Sequence, residues 1–129
     1  MSEKRVTFHL PKEGYTGTAK AREFSWTLDE PASAGGANKG PMPTEAVYGA
    51  LAGCVAITLR MYAKRKEWDT GEINVEIYGK ENEHRQMEIH KKLSFGNEAN
   101  LTEEQIKRLH VIATKCPVSK LLSQATPVI

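Results

Sequence analysis

The 129-residue chain lacks the residues and patterns that mark several classes of protein. It has only two cysteines, Cys54 and Cys116, and no Cys-x-x-Cys or paired Cys/His spacing, which disfavours a zinc site. The four histidines also lack ligand spacing, so neither a metal nor another cofactor is expected. Its 18 lysines and arginines nearly balance 16 acidic residues, and a net charge of +2 is too small for a nucleic-acid-binding surface.

Long apolar segments are also scarce. The longest uncharged run, residues 46–59, has 14 residues, whereas a membrane-spanning helix needs about 20. The amino terminus has charged residues among its few apolar ones, which is not the pattern of an export signal. We therefore predict a cytoplasmic protein that does not bind membranes, and this favours free or redox-active thiols over a stabilising disulfide.

The composition, with 40% hydrophobic and 26% charged residues, is that of one soluble globular domain spanning residues 1–129. Alternation of apolar and polar residues predicts three opening strands at 5–10, 15–21 and 23–28, the first ending in a tight turn. Two further alternating segments, 72–78 and 86–95, predict a hairpin whose connection covers 79–84.

A long helix is predicted after a loop. Residues 29–43 are mostly Gly, Pro, Ala, Ser and Asn, which predicts a loop that is functional, mobile or simply a flexible linker. Pro43 then starts a helix that is predicted to run to about Lys66, with Glu45 near the positive end of its dipole. Because its first two thirds have no polar face, we infer that a second subunit helps to enclose it.

Two shorter helices are predicted near the carboxyl terminus. Thr102 and Gln105 have the spacing of a capping box, which starts a helix. Its apolar face ends at Cys116, and Pro117 both breaks it and begins a last short helix through Leu122, with Cys116 as the N-cap.

The two cysteines therefore have different predicted surroundings. Cys116 lies beside unsatisfied N–H groups of a helix start, which lower a thiol pKa, although it is equally explained as a small apolar residue at a helix junction. Cys54 lies in the middle of the uncharged helix, where burial raises a thiol pKa. Considered alone, Cys54 is a core residue unless a cation or hydrogen-bond donors reach it.

Two motifs, each around one cysteine, are more specific. The first comprises Gly35-Gly36-x-x-x-Gly40-Pro41-x-Pro43-x-Glu45, Ala50-Leu51-Ala52-Gly53-Cys54 and Tyr62-Ala63-x-Arg65-Lys66. The second is Lys115-Cys116-Pro117-Val118-Ser119-Lys120-Leu121-Leu122. From about Phe24 onward the chain resembles the osmotically inducible protein C and organic hydroperoxide resistance (OsmC/Ohr) family, and it is most similar to the OsmC-like subgroup.

The resemblance implies an α+β, OsmC-like fold in which antiparallel sheets wrap around a long central helix in an intertwined homodimer. In characterised relatives the first cysteine, here Cys54, attacks the O–O bond of an organic hydroperoxide and becomes a sulfenic acid. The second, here Cys116, resolves it to a disulfide that a dithiol reductant reduces. The implied function is a thiol-dependent peroxidase.

The resemblance also implies two supporting residues. Relatives with peroxidase activity have a carboxylate directly after the loop proline, whereas here Thr44 follows Pro43 and Glu45 is displaced by one residue, about 100° round a helix. Relatives also use an arginine from an early strand or loop to stabilise the thiolate, and Arg22 is the candidate in this chain. Alternatively, Glu45 only stabilises the first helical turn and Arg22 is a solvated strand residue.

Two other functions stay open: non-enzymatic binding of a hydrophobic small molecule in a dimer-interface pocket, and thiol–disulfide exchange with another protein. Helix-end electrostatics favour Cys116 as the more acidic thiol, whereas the resemblance assigns the first attack to Cys54. We expect Cys54 to be the nucleophile, because an apolar surround suits an organic peroxide and one arginine offsets the desolvation. We also expect the two Cα atoms to come within about 7 Å in at least one redox state.

Overall fold

The computed structural model describes residues 3–129, which form five strands and three α-helices. The elements are β1 (Thr7–His9), β2 (Gly17–Ala21), β3 (Phe24–Leu28), α1 (Pro43–Lys66), β4 (Ile73–Glu81), β5 (Met87–Phe95), α2 (Glu103–Ala113) and α3 (Pro117–Ser123). The predicted α+β class is confirmed. The chain divides into two compact units, one ending at Val47 and the other running from Tyr48 to Ile129.

The first unit contains an antiparallel sheet with the strand order β1-β2-β3. Phe8 pairs with Ala19, and Ala19 pairs in turn with Trp26. The three strands occur where the alternating pattern predicts them, although β1 is confined to three residues. Arg22 occupies the turn between β2 and β3 with φ of 55°, a left-handed conformation.

The long loop after β3 is organised around Asp29. This side chain is 2% exposed, and its carboxylate accepts hydrogen bonds from Thr16 Oγ1 at 2.6 Å, the Glu30 amide at 2.7 Å and the Lys39 amide at 3.1 Å. A short 3-10 helix, Ala32–Ala34, which the composition did not predict, lies within the loop. The hydrogen bond from the Thr16 hydroxyl is the main reason that the pKa of Asp29 is lowered.

The core of the second unit forms on one stripe of α1. Leu51, Val55, Leu59 and Ala63 recur every four residues and are buried. They pack with buried residues of α2 and with Cys116, and partly buried side chains of the β4–β5 hairpin cover them: Ile73, Val75, Ile77, Leu93 and Phe95. Helix α1 has the predicted bounds, and by length and composition alone it is apolar enough to cross a membrane.

The β4–β5 connection differs from its prediction. Strand β4 continues through Gly79, which pairs with Ile89, and the turn lies at 82–86 instead of starting at 79. A side chain at Gly79 would collide with the Tyr48 hydroxyl, so this glycine makes room for the helix rather than turning the chain. The turn itself is held by Asn82 Oδ1, which accepts from the amides of His84 and Gln86 at 2.9 and 3.0 Å.

Both carboxyl-terminal helices start as predicted. Thr102 Oγ1 accepts from the Gln105 amide at 3.1 Å, and Gln105 Oε1 accepts from the Thr102 amide at 2.9 Å, which completes the capping box. Cys116 is the N-cap of α3 and Pro117 its first residue. Because α2 ends just before this N-cap, Cys116 lies at the junction of the two helices.

Candidate functional site

The fold brings together two cysteines that are 62 positions apart in the chain. Cys54 lies on α1 and is partly exposed, whereas Cys116 is 0% exposed. Both are free thiols, and each accepts a hydrogen bond from the first turn of α3, so the two side chains lie side by side at the start of that helix. The second unit therefore contains a pair of adjacent thiols of unequal accessibility.

The first turn of α3 directs its backbone amides at these sulfurs. The Val118 amide donates to Cys54 Sγ at 3.5 Å, and the Ser119 amide donates to Cys116 Sγ at 3.3 Å. Pro117 has no N–H, and the Lys120 amide donates to the Cys116 carbonyl at 3.1 Å, the first bond of the helix. The two amides of α3 that lack a helical partner are thus both bonded to sulfur.

Burial decides the acidity of the inner thiol. Desolvation raises the pKa of Cys116, the adjacent Cys54 raises it further, and the hydrogen bond from the Ser119 amide lowers it by less. The expectation that the helix start gives Cys116 a lowered pKa is therefore wrong. The amide is present as predicted, but a thiol this deeply buried loses more by leaving water than one hydrogen bond restores.

A cleft of about 340 Å³ lies against α3, and neither Cys54 nor Cys116 is among its lining residues. Its residues come from α1, β5 and α3: Leu51, Met87, Ile89, Lys91, Ser119, Leu122 and Ser123. Leu51 lies about one helical turn before Cys54, and Ser119 supplies the amide that bonds to Cys116. The cleft combines apolar walls with one lysine, which suits an apolar or amphipathic small molecule.

The two supporting candidates lie in the first unit. Glu45 is in the first turn of α1, where Oε1 accepts a hydrogen bond from the Met42 amide at 2.8 Å. Arg22 has a side chain 75% exposed, 3.6 Å from a Glu23 oxygen, and its guanidinium lies 4.9 Å from the centre of the Phe24 ring. These contacts match the alternative interpretations, in which Glu45 stabilises the helix start and Arg22 is a solvated residue.

Two features of the structure are not predicted from the sequence. Local spacing predicts amide donors for Cys116 but none for Cys54, because the Val118 amide reaches Cys54 only through tertiary packing. The role of Asp29 is the other feature, and its only signal is an aspartate at a strand end followed by a Gly-rich loop. Within residues 3–129 no group of three or more His, Cys, Asp or Glu side chains is arranged to hold a metal ion.

Comparison with known proteins identifies relatives. Residues 36–129 match the sequence model of the family described as OsmC-like protein. No curated protein matches the chain.

Several solved structures share the fold. The OsmC-like protein from Mycoplasma pneumoniae superposes with a TM-score of 0.79 at 21% identity, over 96% of this chain and 89% of that one. The organic hydroperoxide resistance protein OhrB of Bacillus subtilis superposes with a TM-score of 0.61 at 22% identity, over 96% and 93% of the two chains. An organic hydroperoxide resistance protein from Elizabethkingia anophelis gives 0.66 at 19% identity, over 97% and 91%.

The family match covers more than half of the chain and includes both cysteines, so it confirms the resemblance that the two motifs predicted. The chain belongs to the OsmC-like protein family.

Proposed function

We propose that the protein is a thiol-dependent peroxidase that reduces organic hydroperoxides with Cys54 as the nucleophile. The observation that carries the proposal is that a partly exposed thiol and a buried one accept hydrogen bonds from consecutive amides at the start of α3. Two of the proteins with this fold are named organic hydroperoxide resistance proteins, which supports the same class of reaction.

In the first step the Cys54 thiolate attacks the O–O bond of the hydroperoxide. A sulfur–oxygen bond forms, the O–O bond breaks, and the alkoxide takes a proton and leaves as an alcohol. Cys54 becomes a sulfenic acid and the peroxide is reduced by two electrons. Cys54 suits this step better than Cys116, because Cys116 is fully buried and burial raises the pKa of its thiol.

In the second step the Cys116 sulfur attacks the sulfur of the Cys54 sulfenic acid. A disulfide forms and water leaves, which protects Cys54 from further oxidation. A dithiol reductant then restores both thiols by exchange and becomes a disulfide itself. The cleft beside the thiols, with apolar walls such as Leu51 and Ile89, receives the alkyl group of the substrate.

Self-association belongs to the same proposal. Helix α1 carries a second apolar stripe, opposite the buried one, that is left partly or largely uncovered: Ala50, Gly53, Ile57 and Met61. Ile57 and Met61 are 58% and 61% exposed. A second copy of the chain packed on this stripe gives the homodimer, which we place in the cytoplasm.

The two cysteine substitutions test the assignment. Reduced wild-type protein is expected to turn over cumene hydroperoxide with dithiothreitol, whereas Cys54→Ser abolishes the reaction. Cys116→Ser is expected to consume one equivalent rapidly and to stop as a sulfenic acid, which dimedone labelling and mass spectrometry detect. Ser33→Ala, at an exposed serine outside the cleft, is the control and keeps the wild-type rate.

Two results would contradict the assignment. One equivalent of peroxide consumed by Cys54→Ser but not by Cys116→Ser would reverse the two roles. Consumption that neither substitution changes would exclude thiol peroxidase chemistry.

Arg22 and Glu45 are proposed as the thiolate-stabilising cation and its carboxylate partner. Glu45→Ala removes the acceptor of the Met42 amide and is expected to lower the free energy of unfolding by about 1 kcal/mol. Glu45→Gln keeps an acceptor oxygen but loses the charge, so we expect wild-type stability and a peroxide rate lowered about tenfold, as for Arg22→Gln. Stopped-flow kinetics and urea unfolding measure the two effects. An unchanged rate in Glu45→Gln would leave this residue only its role in the helix.

The cleft also favours a second candidate function, the non-enzymatic binding of an apolar small molecule. Calorimetric titration with cumyl alcohol, which cannot oxidise thiols, separates the two functions. A binder holds the alcohol equally well with both cysteines replaced by serine and does not consume the hydroperoxide.

A further inference from the structure

Helix α3 depends on the two thiols for its amino-terminal hydrogen bonds. It has seven residues, fewer than an isolated helix needs to be stable, and none of them is buried. Its Val118 and Ser119 amides donate to Cys54 Sγ and Cys116 Sγ, as described above. Both reduced sulfurs therefore act as caps of the same helix.

A disulfide imposes a different geometry on the two sulfurs. Joining the sulfurs brings them to about 2.05 Å with a Cβ–S–S–Cβ dihedral near 90°, so each side chain is held in a direction set by the other sulfur. In the reduced protein the two sulfurs are separate, and each lies within hydrogen-bond distance of its own amide, at 3.3 and 3.5 Å. Because two non-bonded sulfurs lie much farther apart than about 2.05 Å, forming the bond moves at least one sulfur relative to its amide.

We propose that oxidation of Cys54 and Cys116 to a disulfide removes the caps of α3, so that this helix loosens and opens the wall of the cleft that it forms. Ser119, Leu122 and Ser123 of α3 line that cleft. Loosening the helix exposes the disulfide beside it to a dithiol reductant. The inference rests on one part of the proposed function, the disulfide between Cys54 and Cys116. It holds whichever oxidant forms that disulfide.

Hydrogen exchange measured by NMR at the amides of Val118 and Ser119 tests the inference on the full chain. Diamide oxidises the reduced protein, taking two electrons and two protons from the thiols, and intact mass after alkylation verifies the disulfide. We expect protection at Ser119 to fall about tenfold on oxidation, the effect of losing one helix cap. Protection in the middle of α2, at Leu109, is expected to stay unchanged.

Three variants isolate the cap from the chemistry. Cys116→Ala removes the acceptor without oxidation and is expected to lower protection at Ser119 in the reduced protein. Cys116→Ser supplies a hydroxyl, a good N-cap, and is expected to keep protection with or without diamide. Cys54→Ser cannot form the disulfide and is expected to keep the protection of Ser119 after diamide treatment.

Three results would overturn the inference. The first is a verified disulfide that leaves the exchange protection of Ser119 unchanged, and the second is unchanged protection of Ser119 in reduced Cys116→Ala. The third is that diamide forms no disulfide in the folded protein. If the protein does not turn over peroxide but diamide still lowers the exchange protection of Ser119, the proposed peroxidase function is wrong and this inference holds. If the protein turns over peroxide but its disulfide leaves that protection unchanged, the inference is wrong and the peroxidase function holds.

Discussion

Asp29 is a buried carboxylate that links three parts of the first unit. It accepts hydrogen bonds from Thr16 at the start of β2, from the neighbouring Glu30 amide and from the Lys39 amide across the loop. These bonds favour the charged carboxylate, which is why the pKa of Asp29 lies below the ordinary value of about 3.9. The loop before α1 therefore depends on an ionised side chain.

We expect Asp29→Asn to lower the midpoint of urea unfolding at pH 7. Because the folded-state pKa is depressed, the stabilising contribution is complete above the unfolded value near 3.9 and is lost as pH falls through the lower folded value. The difference between wild type and variant should therefore shrink between pH 5 and pH 3. Glu13→Gln, which alters an exposed carboxylate in the same unit, is the control and should show little difference at either pH. If Asp29→Asn lowers the urea midpoint by as much at pH 3 as at pH 7, the charge of Asp29 is not the cause.

Cys54 and Cys116 show how location changes the chemistry of one residue type. Burial raises the pKa of Cys116, so a smaller fraction of this thiol than of an ordinary cysteine is ionised at neutral pH. Cys54 stays partly exposed because the fold buries the face of α1 that carries Leu51 and Val55, whereas Cys54 lies beside that face. This division suits one attacking and one resolving thiol.

The loop from β3 to α1 owes its shape to close backbone contacts at two glycines. A Cβ atom at Gly36 would collide with the Glu30 carbonyl oxygen, and one at Gly40 would lie 2.6 Å from the Thr27 carbonyl oxygen. Since the obstructing atoms belong to the backbone, no side-chain rotation relieves the contact. Both glycines belong to the first family motif, which the packing of the loop explains physically.

Gly36→Ala is expected to lower the free energy of unfolding by about 1–3 kcal/mol, the usual effect of forcing extra atoms into a packed site. Ser33→Ala, at an exposed position in the same loop, is the matched control and should change it by less than about 0.5 kcal/mol. Urea unfolding of the three proteins measures the difference. A wild-type midpoint for Gly36→Ala would mean that the loop has room for a side chain.

Helix α1 is apolar on two opposite faces, and the described chain buries only one. The buried stripe runs through Leu51, Val55 and Leu59, whereas Ile57 and Met61 on the other side are more than half exposed. Exposed apolar residues aligned along a helix mark an interaction surface, which is why we infer a second subunit. One chain leaves this face of α1 uncovered, as the lack of a polar face led us to expect, and the second subunit stays a prediction.

Ile57→Glu places a charge at the centre of this stripe and is expected to convert the dimer into monomers or to prevent folding, because obligate dimers often have no stable folded monomer. Val111→Glu makes the same change at a 45% exposed position of α2 and should leave the dimer intact. Sedimentation velocity at micromolar concentration distinguishes the species. A wild-type protein that sediments as a folded monomer would exclude the proposed assembly.

Local signals in the sequence predicted much of this fold. Pro43 starts α1, Thr102 and Gln105 form the capping box, and Cys116 caps α3, as their spacing indicates. Each of these signals depends on hydrogen bonds between residues that are no more than a few positions apart.

Only the tertiary structure decided the features that depend on distant parts of the chain. The sequence pattern predicts a turn at Gly79, whereas in the fold this glycine lies within a strand beside Tyr48. The Val118 amide reaches Cys54 across 64 positions. The acidity of Cys116 follows the same rule: its amide donor is local and predictable, but its burial results from packing of α1 against α2. Sequence determines which groups a residue carries and its local backbone, whereas desolvation and long-range contacts exist only once the elements have packed together.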